Sequence, residues 1–392
     1  MRYLIYILLP VLVIAQSIEQ LYESVQSSNN YKSKALGAEA NAQQKKATLY
    51  QDRWSIGGGL GYASVRDGSN NGSEFGISIA KTLNFGGDAL DNIIKKNNKY
   101  ATLSKRLIKN RIRAQLWTIY GNHCITMQAL QAKASLSNIY DDIRRHIKKG
   151  VAYGEFDNSK GIMAELALNN LNLQISQLEN RLQNYEVQIK QLVPFDGQFE
   201  CKRLSPNFDK IFDSKYSALL PMLQESKELQ REGLSYTQEA FNQANVSLSY
   251  NNEIDTDRYM FNLNIPLAYG SSQNEAKKEA ALQSLSASTY ALKAFENSYY
   301  QETITIKNRI AIYKEYLKNT ERDITQSADK LISQSNMRFL AGEESLISML
   351  KATETKLQMI ETILQLKTQR HNAVGAYMYK YAIDPKEIHN AK

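Results

Sequence analysis

The chain has 392 residues, a mass of 44.6 kDa, six prolines and a mean hydropathy of −0.46. Its few prolines and its long runs of Gln, Asn, Lys, Glu, Leu and Ala favour extended helices over a compact multi-domain enzyme. The net charge of +8 does not predict a nucleic-acid partner, because the basic residues are interleaved with apolar residues as on a solvated helix face.

The first fifteen residues have the pattern of an export signal. Arg2 supplies a short positive region, residues 3–14 are apolar apart from Pro10, and Ala15 is a small residue suited to cleavage. The stretch is short for a membrane-spanning helix, which needs about 20 residues. We therefore predict a signal peptide at 1–15, with a retained N-terminal anchor as the alternative.

A predicted helix at residues 17–52 precedes the first of two strand pairs. Residues 54–64 and 75–85 alternate apolar with small or polar residues, which predicts two strands joined by the turn-rich loop RDGSNNGSE. Residues 245–251 and 259–269 repeat this alternation around the loop NEIDTD. Each pair predicts a β-hairpin.

The apolar faces of these strands carry aromatic residues near both ends: Trp54, Tyr62, Phe75, Phe85, Tyr250, Tyr259 and Tyr269. Their other faces are small or polar, as in outer-membrane strands that surround a watery lumen. A soluble β-sandwich would also alternate and remains an alternative. If the strands lie in lipid, four of them cannot close a barrel, and unpaired edges are not tolerated there. This interpretation predicts a transmembrane β-barrel completed by other copies of the chain.

Two long helical stretches each lead from a strand pair to a glycine-centred turn. Residues 88–149 lead to GVAYGEFD, and residues 271–337 lead to RFLAGEES, with the second glycines 188 residues apart (342 − 154). Helices at 158–192 and 207–244, separated by the proline-containing stretch VPFDGQFECKRLSP, form one return path. A helix at 345–381 and the N-terminal helix form the other.

The order of elements predicts an internal duplication. In chain order, its parts are a first repeat at 16–193 that turns at 150–157, an inter-repeat linker at 194–206, a second repeat at 207–381 that turns at 338–345, and a C-terminal tail at 382–392.

Apolar residues spaced three and four apart mark seams along the helices: Ile175, Leu178, Leu182, Tyr185, Ile189 and Leu192 in the first repeat, and Leu357, Ile360 and Leu364 in the second. Such spacing predicts coiled-coil hairpins.

With this organisation, the chain resembles the outer-membrane efflux proteins of the TolC family. The resemblance covers nearly the whole mature chain and includes two turn motifs, VAYGEFDNSKGIM and FLAGEESLISML. It implies a mainly α-helical homotrimer in which the chains together form a transmembrane β-barrel and a long α-helical barrel in the periplasm. It also implies a periplasmic adaptor (membrane fusion) protein and an inner-membrane transporter as partners, outer-membrane lipid around the strands, and no catalysed reaction.

The two glycine turns are the candidate functional sites. Gly154 and Gly342 supply the backbone conformation that a tight helix reversal needs. As the periplasmic tips of such a channel, the turns would contact the adaptor through Ala152, Tyr153, Gly154, Glu155, Phe156, Leu340, Ala341, Gly342, Glu343 and Glu344.

A predicted pore mouth or gate follows from the same placement and comprises Glu155, Asp157, Lys160, Glu343, Glu344, Ser348 and Lys351. A ring of carboxylates there would favour cations, although acidic residues at a helix start also suit the helix dipole, and both roles remain open. The family resemblance implies an acidic constriction, but Ser348 and Lys351 stand at the matching positions of this chain.

The histidines lie on separate predicted segments without the spacing of a metal site: His123, His146, His371 and His389. Helix rise places Cys124 about 39 Å from the first turn and Cys201 beyond about 52 Å. Free buried thiols are therefore expected rather than a disulfide, which remains possible in an exported protein. No cofactor or metal is expected.

The sequence thus predicts an outer-membrane exit duct of a tripartite efflux or export system, which moves small molecules or ions out of the cell. One alternative is the outer-membrane component of type I protein secretion. Another, from a different class, is a periplasmic coiled-coil adaptor whose strands form a soluble β domain. No nucleophile, carboxylate pair or phosphate loop lies at usable spacing, so an enzyme is not expected.

Overall fold

The computed structural model describes residues 17–49, 54–64, 71–85, 87–195, 197, 199–201, 204, 206–238, 243–253, 256–266, 272–321 and 325–388. The predicted signal peptide, residues 267–269 of the last predicted strand, and His389 lie outside these residues. The described chain is mainly helical with one four-stranded sheet, which confirms the predicted secondary-structure class.

The described elements are, in chain order, α1 (Ile18–Ser24), α2 (Asn29–Leu49), β1 (Trp54–Ser64), β2 (Asn71–Asn84), α3 (Gly87–Ala152), α4 (Asn158–Leu192), α5 (Phe208–Ile211), α6 (Leu219–Thr237), β3 (Gln243–Glu253), β4 (Thr256–Asn264), α7 (Ser272–Asn319), α8 (Thr325–Leu340), α9 (Leu346–Tyr381) and α10 (Pro385–Ile388). Short 3₁₀ turns lie at Val25–Ser27 and Ser214–Tyr216.

The chain divides into two compact units. A helical unit contains the described residues up to Ser33, Ile108–Ala218, and the described residues from Ser298 onward. A sheet-containing unit is formed by Lys34–Leu107 and Leu219–Asn297. Within the described residues, no helix combines the length and the apolar composition needed to cross a membrane.

In the sheet-containing unit, the four strands form an antiparallel meander in chain order. The register pairs Ile56 with Ile79, and Ile79 with Leu248 on the next strand. Leu248 in turn pairs with Phe261, so a continuous row of large apolar side chains crosses one face. Because alternate residues point to opposite faces, the neighbouring row of Ser, Ala, Ser and Asn residues lies on the other face.

The strand ends differ from the sequence prediction in both pairs. β2 begins at Asn71 instead of residue 75, because residues 71–74 continue the ladder opposite the last residues of β1. These residues include turn-forming types, and strand pairing overrides that local preference. β3 extends beyond 245–251 at both ends, and β4 begins at Thr256 and ends at Asn264, before the predicted end at residue 269.

The predicted N-terminal helix at 17–52 was wrong as a single element. It is interrupted after α1 by the 3₁₀ turn and by extended Ser28. The Ser28 hydroxyl oxygen accepts a hydrogen bond from the Tyr31 backbone N–H at 3.2 Å. Serine competes with helical backbone bonds in this way, and α2 starts anew after it.

The predicted helix at 207–244 is also divided, and two described helices lie within or across the range predicted as one helix at 271–337. Asn207 and Asp213 cap two short turns through their side chains, so the long helix of this segment, α6, starts only at Leu219. α7 ends at Asn319, and α8 begins at Thr325 beyond residues that the structure does not describe. The capping side chains satisfy backbone donors locally, which favours turns over a continuous helix.

The core of the helical unit is formed where four helices pack side by side. Its buried members come from α3, α4, α8 and α9: Leu136, Tyr140, Ile143, Ile147, Ala164, Leu168, Leu171, Ile332, Phe339, Leu346, Met349, Ala352 and Leu357. A smaller cluster contains Ala129, Leu178 and Leu364. The predicted seam residues Leu178, Leu357 and Leu364 are thus buried between helices.

The predicted C-terminal tail is not a loose end over its described part. The backbone of Ile383 forms a bridge with Ser217, and the Asn110 side-chain amide donates to the Ala382 carbonyl at 2.9 Å. Buried Asp384 receives a hydrogen bond from the Arg113 guanidinium at 2.5 Å. These contacts anchor the end of α9 to α3.

The expectation of free thiols was wrong: Cys124 and Cys201 form a disulfide, with their Cα atoms 5.4 Å apart. The helix-rise estimate assumed that the chain continues in the direction of α4. Instead the linker reverses after Leu192 and returns along α3, where the Tyr120 hydroxyl donates to the Glu200 carbonyl. The reversal therefore brings Cys201 back to the level of Cys124.

Candidate functional site

The two glycine turns have the same backbone conformation. Gly154 and Gly342 both have a φ of 76°, in the left-handed region. Each glycine N–H donates to the carbonyl three residues earlier, at 3.2 Å to Val151 and at 3.1 Å to Phe339. The next N–H donates to the carbonyl five residues earlier, at 2.8 Å in both turns. This is the Schellman arrangement that ends a helix with glycine.

The helix that follows each turn begins with a side-chain cap. The Asp157 carboxylate accepts from the Lys160 N–H at 3.1 Å, and the Ser345 hydroxyl oxygen accepts from the Ser348 N–H at 3.2 Å. Asp157 and Ser345 are 188 positions apart (345 − 157), the same offset as the two glycines. The hydrogen bond that Ser159 donates, followed by the one from the Lys160 N–H, lowers the pKa of Asp157. The Asp157 carboxylate therefore has a local structural role as the cap of α4.

The predicted adaptor-docking residues are exposed apart from Phe156 and Glu344, which are partly buried. Tyr153 is 81% exposed and Leu340 is 51% exposed. The exposed members of the set are Ala152, Tyr153, Gly154, Glu155, Leu340, Ala341, Gly342 and Glu343. Phe156 was expected to be exposed but is partly buried, because its ring fills the space beside Gly150, where a Cβ would lie 2.2 Å from it.

An aromatic cluster joins the two turns. The Phe156 and Phe339 rings stack with centroids 6.4 Å apart, and His146 lies 5.9 Å from the former and 5.5 Å from the latter. Phe339 and His146 were not among the predicted site residues. The residue that corresponds to Phe339 in the first repeat, 188 positions earlier, is Val151, which is not aromatic. Comparison of the two repeats therefore does not predict this contact.

The predicted gate residues have different surroundings. Glu343 lies 3.8 Å from the Arg338 guanidinium, and partly buried Glu344 accepts a hydrogen bond from Ser335 at 3.2 Å. The Lys160 ammonium lies 5.0 Å from the centre of the Phe156 ring. The side chains of Glu155, Ser348 and Lys351 are exposed. A single chain therefore presents both carboxylates and ammonium groups near its turns.

The apolar face of the sheet is the second feature of functional interest. Its large side chains are solvent-exposed in the single chain, with Leu60 at 92% and Ile56 at 80%. The other exposed members on this face are Trp54, Tyr62, Phe75, Ile77, Ile79, Leu248, Tyr259, Phe261 and Leu263. A contiguous apolar surface of this kind marks contact with lipid or protein.

Solved structures with the same fold include outer-membrane channels. The Campylobacter jejuni CmeC outer membrane channel matches with a TM-score of 0.72 and 14% identity, over 96% of this chain and 87% of that one. The Vibrio cholerae outer membrane protein VceC matches with a TM-score of 0.71 and 12% identity, over 93% and 96% of the two chains. A membrane protein from Pseudomonas aeruginosa gives a TM-score of 0.74 and 12% identity, over 92% and 89%.

No protein-family model and no curated protein matches the sequence, so the likeness rests on the fold. The chain has the TolC-like outer-membrane channel fold, as its resemblance to that family predicted.

Proposed function

We propose that the protein is an outer-membrane channel that acts as the exit duct of a tripartite efflux system. The observation that carries this proposal is the sheet register, which collects the large apolar side chains of four strands on one exposed face and mostly small and polar ones on the other. Lys81 is a charged residue within the apolar face, where its ammonium group lies 5.1 Å from the centre of the Trp54 ring. Outer-membrane strands need this division between lipid and lumen. The shared channel fold supports the outer-membrane location and the prediction that the chain is not an enzyme.

The active assembly in this proposal is a homotrimer. β1 and β4 are the edge strands of the sheet in one chain. Unpaired backbone groups at such edges are not tolerated in lipid, so neighbouring copies would pair with them and close a barrel. The two repeats, 16–193 and 207–381, would then alternate around the channel axis, a division supported by the matching turns at Gly154 and Gly342.

Mass measurement and electrical recording test this proposal on the full-length protein. It should require detergent for extraction, have the mass of three chains in the detergent complex, and form ion-conducting pores in a planar bilayer. Extraction by high salt alone would favour the soluble adaptor interpretation instead. A stable, non-conducting monomer in detergent would also contradict the proposal.

The exposed residues around Gly154 and Gly342 are the proposed docking surface for a periplasmic adaptor that connects the channel to an inner-membrane transporter. A photo-crosslinking amino acid at Tyr153 or Leu340 should capture a membrane-anchored periplasmic protein in cells. Leu173 is a matched control, because it is 59% exposed on α4 but is not part of either turn. Equal capture from Leu173 would remove the assignment of docking to the turns.

The proposed cargo is small molecules or ions, because the predicted gate residues offer charged side chains. Export of a folded or unfolded polypeptide by cells that carry the channel would instead place it in type I protein secretion.

A further inference from the structure

The disulfide of the helical unit lies within a cluster of metal-ligating side chains that the proposed channel function does not use. His123, Cys124 and Cys201 each offer one ligand atom, and these atoms lie within 4.8 Å of one another. His123 is 2% exposed and Cys124 is 7% exposed, whereas Cys201 is open to solvent. The cluster therefore combines two buried donors with one that a reagent or ion can reach.

The His123 ring is oriented as in a metal site. Its Nδ1 lies 3.7 Å from Cys201 Sγ, and its Nε2 lies 3.6 Å from a carboxylate oxygen of Glu186. Buried Nε2 forms no hydrogen bond to any described residue. Ligating histidines commonly present one nitrogen to the metal and direct the other toward a carboxylate, which sets the tautomer and the ring orientation. Glu186 occupies the position of that carboxylate.

Contacts that involve no sulfur hold the linker beside α3. The Phe199 ring lies 4.8 Å from the His123 ring and stacks on Phe195 at 4.2 Å. The Tyr120 hydroxyl also donates to the carbonyl of Glu200, the residue before Cys201. These contacts join the linker to α3 without the sulfur–sulfur bond.

We propose that reduction of the Cys124–Cys201 disulfide creates a binding site for a zinc-type divalent cation. A dithiol reductant supplies the two electrons and two protons: its own thiols become a disulfide, and Cys124 and Cys201 become thiols. The cation then binds both sulfurs as thiolates together with His123 Nδ1, and the two thiol protons are released. Two thiolates and an imidazole favour zinc-type ions over magnesium or calcium, and they leave a fourth position for water.

In this proposal the same two sulfurs connect the linker to α3 either covalently or through a cation. The oxidised chain does not bind the ion, because neither sulfur is a thiolate. Metal binding thus reports the thiol redox state of the compartment, and it is independent of whether the protein conducts.

Cobalt(II) is a spectroscopic probe for this site in the full-length protein. After reduction with a phosphine and anaerobic removal of the reductant, Co²⁺ should bind at one ion per chain, give thiolate-to-cobalt absorption, and be displaced by Zn²⁺. The oxidised protein should give no such absorption. Cys124→Ser and Cys201→Ser should each abolish it.

The role of Glu186 beside His123 can be tested with a matched pair of variants. Glu186→Gln should weaken cobalt binding by about 10–100-fold, the usual effect of losing a carboxylate partner of a ligating histidine. Glu179→Gln, two turns earlier on α4 and exposed, should leave the affinity unchanged. Equal affinities of the two variants would overturn the role of Glu186.

A chemical readout on the unmodified sequence covers the case in which the cysteine variants fail to fold. Zn²⁺ should protect both Cys124 and Cys201 of the reduced protein from alkylation by iodoacetamide, as measured by mass spectrometry, and Mg²⁺ should not. Rapid alkylation of both cysteines in the presence of Zn²⁺ would overturn the proposal, as would absence of thiolate-to-cobalt absorption in the reduced wild type.

Discussion

At the scale of single residues, Gly154 and Gly342 are constrained by backbone conformation rather than by space. Both have a φ of 76°, and a Cβ at either position would meet no atom within 4 Å. The left-handed conformation costs an L-residue roughly 1–2 kcal/mol, and a β-branched residue is accommodated least well. The two positions therefore require glycine although they are open to solvent.

Gly154→Val and Gly342→Val should each lower the unfolding temperature of the helical unit, because valine strains the turn by at least roughly 1–2 kcal/mol. Export should also fall while the protein still reaches the outer membrane, since the altered turns lie in the proposed docking surface. Thermal unfolding and an export assay measure the two effects. Gly161→Ala, at an ordinary helical position with no atom closer than 3.9 Å, should not lower the unfolding temperature, because alanine is the better helix former, and should leave export unchanged. Wild-type export by both valine variants would exclude a docking role of the turns.

His371 is a buried histidine whose surroundings disfavour its charged form. Its ring stacks on Trp117 with centroids 3.8 Å apart, and Nε2 lies 3.0 Å from the Trp117 carbonyl oxygen and 3.1 Å from that of Thr118. Nε2 thus carries the proton that is donated to these carbonyls. Burial lowers the pKa of His371 to about 4.

Acidification should destabilise the helical unit through His371. An unfolded histidine binds a proton below about pH 6.5, whereas folded His371 does so only near pH 4, so the unfolded state gains protons first. The contribution of neutral His371 to the free energy of unfolding is complete above about pH 6.5. The free energy of unfolding then falls by about 3 kcal/mol through this residue as the pH drops to about 4.

Thermal unfolding of wild type and His371→Gln between pH 7 and pH 4 measures this contribution. Glutamine can donate to the same carbonyls but does not titrate, so the variant should lose less stability with acid than the wild type. Parallel losses in the two proteins would mean that other groups cause the acid sensitivity.

At the scale of elements, the faces of the sheet are distinguished by neighbouring residues on one central strand. Ile79 lies on the apolar face and pairs with Leu248, whereas Ala80 lies on the opposite face and pairs with Ser247. Both residues lie on β2, one position apart, and each is paired with a residue of β1 and a residue of β3. Substitutions at the two positions therefore separate the effect of the face from the effect of the strand.

Ile79→Arg should impair assembly in the outer membrane, because a cation on a lipid-facing strand surface costs about 2–4 kcal/mol near the bilayer centre. Ala80→Arg should be tolerated, since it faces the proposed watery lumen. Membrane fractionation and the amount of trimer measure the difference. Equal yields of the two variants would argue against a lipid-facing sheet.

The helical elements show how the two repeats use the same local design with different packing. Both hairpins end in a Schellman turn and restart with a side-chain cap, with hydrogen bonds that agree within about 0.1 Å between the repeats. Yet Phe156 packs into the aromatic cluster, whereas the corresponding Glu344 accepts a hydrogen bond from Ser335. The repeats therefore conserve the turn and differ in the side chains around it.

At the scale of the whole molecule, three copies of the chain would place the turn carboxylates around one opening. Glu343→Gln combined with Glu344→Gln should reduce the cation preference of the pore while the open conductance stays similar. Carboxylates at a pore mouth attract cations without narrowing the path. Reversal potentials in single-channel recordings under a salt gradient give the selectivity. Asp157→Asn is an informative comparison, because the Asp157 carboxylate is already engaged in capping α4.

Unchanged selectivity in the double variant would assign Glu343 and Glu344 to local contacts with Arg338 and Ser335 alone. A collapse of trimer yield would have the same meaning, since it would show that the glutamates support the fold.

Several features of this protein were determined by the sequence itself. The strand faces follow from alternation along each strand, and the turns at Gly154 and Gly342 follow from a residue that tolerates positive φ. The seam residues Leu178, Leu357 and Leu364 follow from their helical spacing. These features depend on neighbours within a few positions, so they can be read from the printed chain.

Other features were decided only by contacts between distant segments. The disulfide requires the linker to reverse after Leu192, and the aromatic cluster requires Phe156 and Phe339, from different repeats, to meet. The ring of His123 lies between Cys201 and Glu186, a placement that no local spacing specifies. Such contacts join residues that are far apart in sequence. They form only when the helices pack against one another and the linker folds back on α3. The spacing of apolar residues along the chain does not specify which distant segments pack together. Only the tertiary structure therefore decides these contacts.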